Sequence, residues 1–157
     1  MAKTATMKVW NVELGLAVHI KAPNGKYVVI DLGSTQNVSP MASLMFKKVG
    51  YMIITHPHHD HFSDICNIAW AKPDVLWRVK AYSREELLSS VRNQEKDDFV
   101  AYCDFCDGYN GTVPKEDLPA SGNPFDGMKV RVFSTNSCDK EIKNNFSVFV
   151  VIELGNA

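Results

Sequence analysis

Residues 56–61 read His56-Pro57-His58-His59-Asp60-His61, the pattern H-x-H-x-D-H, and they hold four of the five histidines of the chain. Neutral imidazole and carboxylate are ligands for Zn²⁺, Mn²⁺ or Fe²⁺. Titratable groups crowded in this way are costly to keep together unless a cation organises them. His56 and His58 are two residues apart, so in an extended loop both side chains reach one ion. Asp60 and His61 are adjacent and should diverge, which suits a second ion a few ångströms away with a hydroxide shared between the two. Pro57 fixes φ within the loop and lowers the entropic cost of ordering the ligands. His59, between the two pairs, is expected to point elsewhere, and Asp64 is read as a cap or a helix-start charge. A purification-tag remnant would be terminal and uniform. A solvated histidine-rich loop would rarely follow directly on a buried apolar strand.

That strand is Tyr51-Met52-Ile53-Ile54-Thr55, and the cluster sits on the loop at its C-terminal end, where α/β folds place their chemistry. Upstream, Met7–Val12, Leu16–Lys21 and Tyr27–Leu32 read as a β-meander, with Pro23-Asn24-Gly25-Lys26 as a hairpin turn whose Asn-Gly supplies positive φ. Ser39 and Pro40 open a predicted helix that runs to Val49 and stops at Gly50. A second helix is predicted from Phe62 to Ala71, ended before Pro73, then a strand from Val75 to Lys80. Ser83-Arg84-Glu85-Glu86 is a capping box opening a helix to about Gln94 or beyond. Asp107–Asp126 reads as a long loop, Met128–Phe133 as a strand, Asn136–Asn145 as a polar loop and Phe146–Leu154 as the last strand. The order β-β-β-α-β-α-β-α-β-β indicates an α/β layered domain with a mixed sheet.

The 157 residues, with 45% apolar and 22% charged side chains, suffice for one globular domain over residues 1–157. A formal net charge of −1 gives no broad electropositive surface for nucleic acid. No apolar run is long enough to span a bilayer, and the N-terminus lacks the apolar region of a secretory signal, so a cytoplasmic protein without membrane contact is expected. Of the four cysteines, Cys103 and Cys106 form a lone C-x-x-C. With no second pair and the histidines committed elsewhere, they read as reduced thiols packed in a helix or loop. A redox pair would sit between a strand and a helix and carry a depressed thiol pKa.

Thr55-His56-Pro57-His58-His59-Asp60-His61 resembles the signature of the metallo-β-lactamase fold superfamily of metallohydrolases. Asp31, in Ile30-Asp31-Leu32-Gly33, matches that family's first motif, an aspartate that supports the metal site from behind the ligands. Within the superfamily the chain is most similar to the competence-protein-like (ComEC-like) branch, through Asn11-Val12-Glu13-Leu14-Gly15 and Asn144-Asn145-Phe146-Ser147. Glu13 and Leu16 depart from the glycine-rich pattern of that branch. The resemblance implies an αβ/βα sandwich, present here mainly as one αβ half, the N-terminal half of the family domain. It also implies two ions, His56 and His58 on one and Asp60 and His61 on the other, with Asp60 also able to orient the attacking hydroxide. The family's third-motif histidine, bridging aspartate and last histidine lie further along, and this chain has no histidine after His61. Ser134, Asn136 or Cys138 would have to stand in. The chain then reads either as a fragment of a larger hydrolase or as a natural half that pairs with itself or with a complementary half, since a half-sandwich would leave an apolar sheet face uncovered.

The expectation is therefore a metal-dependent hydrolase with a zinc-type dinuclear site, acting on a phosphodiester, thioester or lactam. A nucleotide, phosphodiester or other small-molecule substrate is expected, with Mn²⁺ or Fe²⁺ as alternatives to Zn²⁺. The competing reading is a catalytically silent metal-binding or assembly domain, because the downstream ligands are missing.

Overall fold

The apolar runs of the sequence sort into two sheets and a helical layer. The computed structural model describes residues 3–110, 124–134 and 147–155. Strands β1 (Thr6–Val9), β2 (Val18–Lys21), β3 (Tyr27–Ile30), β4 (Val49–Ile54) and β5 (Pro73–Arg78) lie side by side in chain order. The pairs β1–β2 and β2–β3 are antiparallel, and β3–β4 and β4–β5 are parallel, which makes the sheet mixed as expected. The β2–β3 turn is a three-residue connection, with Ala22 and Lys26 bonded across it and Gly25 at φ +84° supplying the left-handed residue. Pro73 is tolerated because it is the first residue of an edge strand.

β4 is buried along its whole length, which explains its unbroken apolar sequence. One face of the sheet (Val29, Met52, Ile54, Leu76) packs against Met41, Leu44, Phe62 and Ile65 and against helices α1 (Arg84–Ser89) and α2 (Lys96–Asp107). The other face (Val18, Ile20, Val28, Tyr51, Ile53) packs on β6 (Met128–Ser134) and β7 (Val148–Leu154), a separate antiparallel pair. Gly50 is a strand residue here rather than a helix stop. A Cβ on it would come within 2.7 Å of the Phe125 ring, so glycine lets the second sheet approach.

Several predicted elements differ in kind or length. The stretch after Pro40 is a 3-10 turn, Met41–Leu44, and the one before Pro73 is a 3-10 segment, Ile65–Trp70. The capping box at Ser83 and Glu86 is present with both reciprocal bonds, but α1 stops at Ser89. A second helix, α2, follows, and it carries Cys103 and Cys106 on its buried side as free thiols, packed in a helix as expected. Burial pushes the Cys106 thiol up to about 11 and raises Cys103 as well, opposite to what a redox pair requires. The expected uncovered face of the main sheet is covered by β6–β7. On the outside of that pair Phe149 is 50% and Val151 37% exposed, among several exposed apolar side chains on the molecule.

His19 on β2 is buried against Trp10, and its Nε2 finds no partner among the described residues. Burial, aided by the charge of Lys8, lowers its pKa from 6.5 to about 4. Below pH 6.5 the unfolded chain takes up a proton that the folded chain refuses, so stability is full above that pH and falls as pH drops towards 4. The loss reaches at most about 3 kcal/mol from this residue. Urea unfolding at pH 7, 6 and 5 should show it, with a shallower fall in His19→Gln; an identical slope in the variant would contradict the assignment. His56, lowered to about 4 as well, adds loss in the same window and remains in the variant.

Candidate metal centre

Two loops leave the C-terminal ends of the parallel neighbours β3 and β4 at the same sheet edge, and they are stitched together. Asp31 N–H bonds Ile53 O, Leu32 N–H bonds His61 O, and Asp64 N–H bonds Leu32 O, all at 2.8–2.9 Å. Asp31 takes the left-handed conformation (φ 56°), which turns its carboxylate under the β4 loop. That carboxylate has no exposed surface. Its Oδ1 accepts from Thr55 N–H at 2.7 Å, and its Oδ2 accepts from Thr55 Oγ1–H at 2.6 Å and His61 Nδ1–H at 2.7 Å. Burial pushes the Asp31 carboxyl up, and these bonds from His61 and Thr55 act against that. Burial pulls His61 down, but the bond and charge of Asp31, helped by Asp60, outweigh it and leave His61 raised.

Thr55 has a role that its place in the sequence does not signal. Having given its proton to Asp31, its hydroxyl accepts from His56 Nδ1 at 3.0 Å. Both His56 and His61 are thus held on their Nδ1 side, which leaves Nε2 as the nitrogen available to a cation. The rings gather: His56 and His61 centroids are 3.9 Å apart, and His56 and His58 are 4.8 Å apart. Burial, then the charges of His61 and His58, lower His56 to about 4, so its ring is neutral near pH 7. Asp60 and His61 come together rather than diverge, with Asp60 Oδ2 3.6 Å from His61 Nε2. Glycine makes room above Asp60: a Cβ on Gly15 would overlap the Asp60 carbonyl, and one on Gly33 would stand 2.7 Å from it.

His59 turns away to α2, as its position between the pairs implied, and Asp64 is indeed a cap, though for another element. Its carboxylate accepts from Met41 N–H at 2.7 Å, Ser39 Oγ and Asn67 Nδ2, holding the 41–44 turn rather than starting its own segment. Ser134 ends β6 beside the cluster, because its partner Val148 donates to Thr55 O at 2.9 Å. Asn136, Cys138 and Asn144–Phe146 lie outside the described residues. A cavity of about 350 Å³ opens next to Asp60, with Glu13, Ser34, His59 and Ser63 in its wall, large enough for a small molecule.

The donor chemistry fits a zinc-type cation: imidazoles fixed on one nitrogen, one of them neutral by burial, beside a carboxylate. The count is short, since among the described residues no three His, Cys, Asp or Glu side chains already stand as a cage for an ion.

The sequence matches the family profile described as Metallo-beta-lactamase superfamily over residues 11–130, and the chain belongs to that superfamily. Solved structures agree on the fold. The metallo-beta-lactamase superfamily protein ST1585 from Sulfolobus tokodaii is 15% identical (TM-score 0.57), over 94% of this chain and 60% of that one. The metallo hydrolase Igni18 from Ignicoccus hospitalis is 14% identical (TM-score 0.52), over 96% of this chain and 57% of that one. Zn²⁺-bound PqqB from Methylobacterium extorquens is 14% identical (TM-score 0.51), over 89% and 49%. This chain therefore spans about half to three-fifths of the length of these proteins. No curated protein matches the sequence. Among the described residues no helix is long and apolar enough to cross a membrane.

Gly15→Ala adds a methyl against Asp60 and strains a backbone at φ +81°, so it should weaken Zn²⁺ binding at least tenfold in a chelator-competition titration. Gly25→Ala, at φ +84° with open space around it, should cost about 1 kcal/mol of stability and leave Zn²⁺ affinity unchanged.

Proposed function

We propose that this chain is a metal-dependent hydrolase domain whose ions are held by His56, His58, Asp60 and His61, with Asp31 and Thr55 behind them. The observation that carries the reading is the shared anchoring of His56 and His61 through Thr55 and Asp31, which engages Nδ1 of both rings, with centroids 3.9 Å apart, and leaves both Nε2 atoms for a cation. When bound there, Zn²⁺, or Mn²⁺ or Fe²⁺ in its place, would supply a water acidified to near neutrality and a Lewis acid for the developing oxyanion. In this reading Asp60, partly exposed at the mouth of the cavity, orients that water, and the cavity takes the body of the substrate. The Zn²⁺ carried by the PqqB structure supports zinc as the first metal to test. The competence-like sequence features favour a phosphodiester substrate, and the exposed Phe149 and Val151 favour coverage of β6–β7 by a second copy or by a complementary half.

A catalytically silent metal-binding domain is the second reading. It is favoured by the short count of ligands among the described residues. The two separate on one experiment: metal stoichiometry, and hydrolysis of bis(p-nitrophenyl) phosphate with Zn²⁺ or Mn²⁺, in the wild type and in His58→Ala. The hydrolase reading expects turnover that falls at least a hundredfold in the variant. Bound metal with no turnover that depends on His58 would leave only the silent domain.

A further inference from the structure

Asp98 lies 38 residues downstream of Asp60 in the sequence, in the first turn of α2, yet it bonds to the middle of the histidine cluster. His59 Nε2 and Asp98 Oδ2 are 2.8 Å apart, and the other oxygen, Oδ1, accepts from Cys66 Sγ at 3.4 Å. One carboxylate thus ties the His59–His61 turn and the Ile65–Trp70 segment to the same helix. The His59 ring is fixed on three further sides: it stacks over Phe99 at 6.4 Å, meets Phe62 edge-on at 5.8 Å, and has Glu95 Oε1 4.0 Å from Nδ1. Phe62 and Phe99 belong to the buried core, so the ring is clamped to the rigid part of the molecule.

The turn needs such a clamp. His59–His61 is a single 3-10 turn with no side-chain cap, held internally by His61 N–H to His58 O and Phe62 N–H to His59 O. So short a turn does not persist by itself. Asp60 and His61 follow His59 directly, so the rotation of the turn about its axis sets where their side chains aim. Asp31 fixes His61 from below, whereas the Asp60 carboxylate is 44% exposed and lies 3.6 Å from His61 Nε2. We propose that Asp98 is a positioning residue for the metal centre: acting through His59, it locks the turn so that Asp60 and His61 face the same ion. The inference rests on the metal-centre reading for its consequence, and on the observed contact for its cause. A partly exposed bond of this kind contributes little to folding, so its effect should appear in metal binding far more than in stability.

The test compares wild type, Asp98→Asn, His59→Gln and Asp98→Glu, with Asp104→Asn as control. Asp104 lies on the same helix, paired with Arg84 away from the cluster. Two readouts are taken: Co²⁺ affinity with its visible spectrum, and amide hydrogen exchange of His61 and Phe62 in metal-free protein. Asp98→Asn and His59→Gln should weaken Co²⁺ binding 10- to 100-fold, change the ligand-field bands and speed exchange of the two amides about tenfold. Asp98→Glu should recover part of each, and Asp104→Asn should change none. Wild-type spectrum and exchange in Asp98→Asn, or equal changes in Asp104→Asn, would overturn the proposal. His58→Ala should lose Co²⁺ while keeping amide protection. If the wild type takes up no Co²⁺ the metal-centre reading fails, and exchange in Asp98→Asn still decides whether Asp98 locks the turn.

Discussion

A carboxylate with no solvent contact is tolerable only when donors surround it, and Asp31 is that carboxylate here. Its three donors come from two residues of the β4 loop, Thr55 and His61, so the ends of β3 and β4 are joined by charge as well as by the sheet ladder. Removing either partner would leave a buried charge short of bonds, a penalty of several kcal/mol, against which the loop has no cheaper arrangement. The same carboxylate selects the nitrogen that each ring turns outward. It accepts directly from His61 and, through the Thr55 hydroxyl, indirectly from His56. Fold stability and the orientation of the His56 and His61 rings therefore rest on one set of bonds.

The cost of this arrangement is paid in backbone conformation. Asp31 at φ 56° and Glu13 at φ 61° are non-glycine residues in the left-handed region, and both flank the cluster. Strain of about 1 kcal/mol or more at such positions persists when surrounding bonds over-determine it. For Asp31 those bonds are visible: its own N–H to Ile53, the next N–H to His61, and three donors on its side chain. Gly15 and Gly33 serve the opposite purpose, leaving the space into which the Asp60 carbonyl fits.

Much of this was legible in the chain. The buried strand, the H-x-H-x-D-H loop at its end and the Asn-Gly hairpin each carry a local signal, and all are found where that signal puts them. Other elements were legible only in part. Ser39-Pro40 and the run before Pro73 look like α-helix starts, but Asp64 bonds the backbone of the first and both come out as 3-10 turns. The missed helix α2 does have a signal: Phe99, Tyr102, Cys103 and Cys106 follow the i, i+3, i+4, i+7 spacing and are all buried. Cys103 and Cys106, expected as reduced thiols packed in a helix or loop, are two members of that apolar stripe. The partnership of His59 with Asp98, and that of Thr55 with Asp31, could not be read from spacing, because each depends on how distant segments pack.

The second sheet matters to the site for a related reason. Val148 N–H bonds the carbonyl of Thr55, the residue whose side chain anchors the rings, so β7 begins where the histidine loop begins. Its neighbour β6 ends at the same edge with Ser134, half-buried beside Val148. Any donor supplied from the β6–β7 side must enter there, opposite the face on which α2 grips His59. Thr55 takes one hydrogen bond from the second sheet and gives two to Asp31, while His59 leans on the helical layer. The histidine loop is thus braced from both layers that sandwich the main sheet. A loop braced on two sides has fewer arrangements open to its side chains, which lowers the ordering cost of any binding event at it.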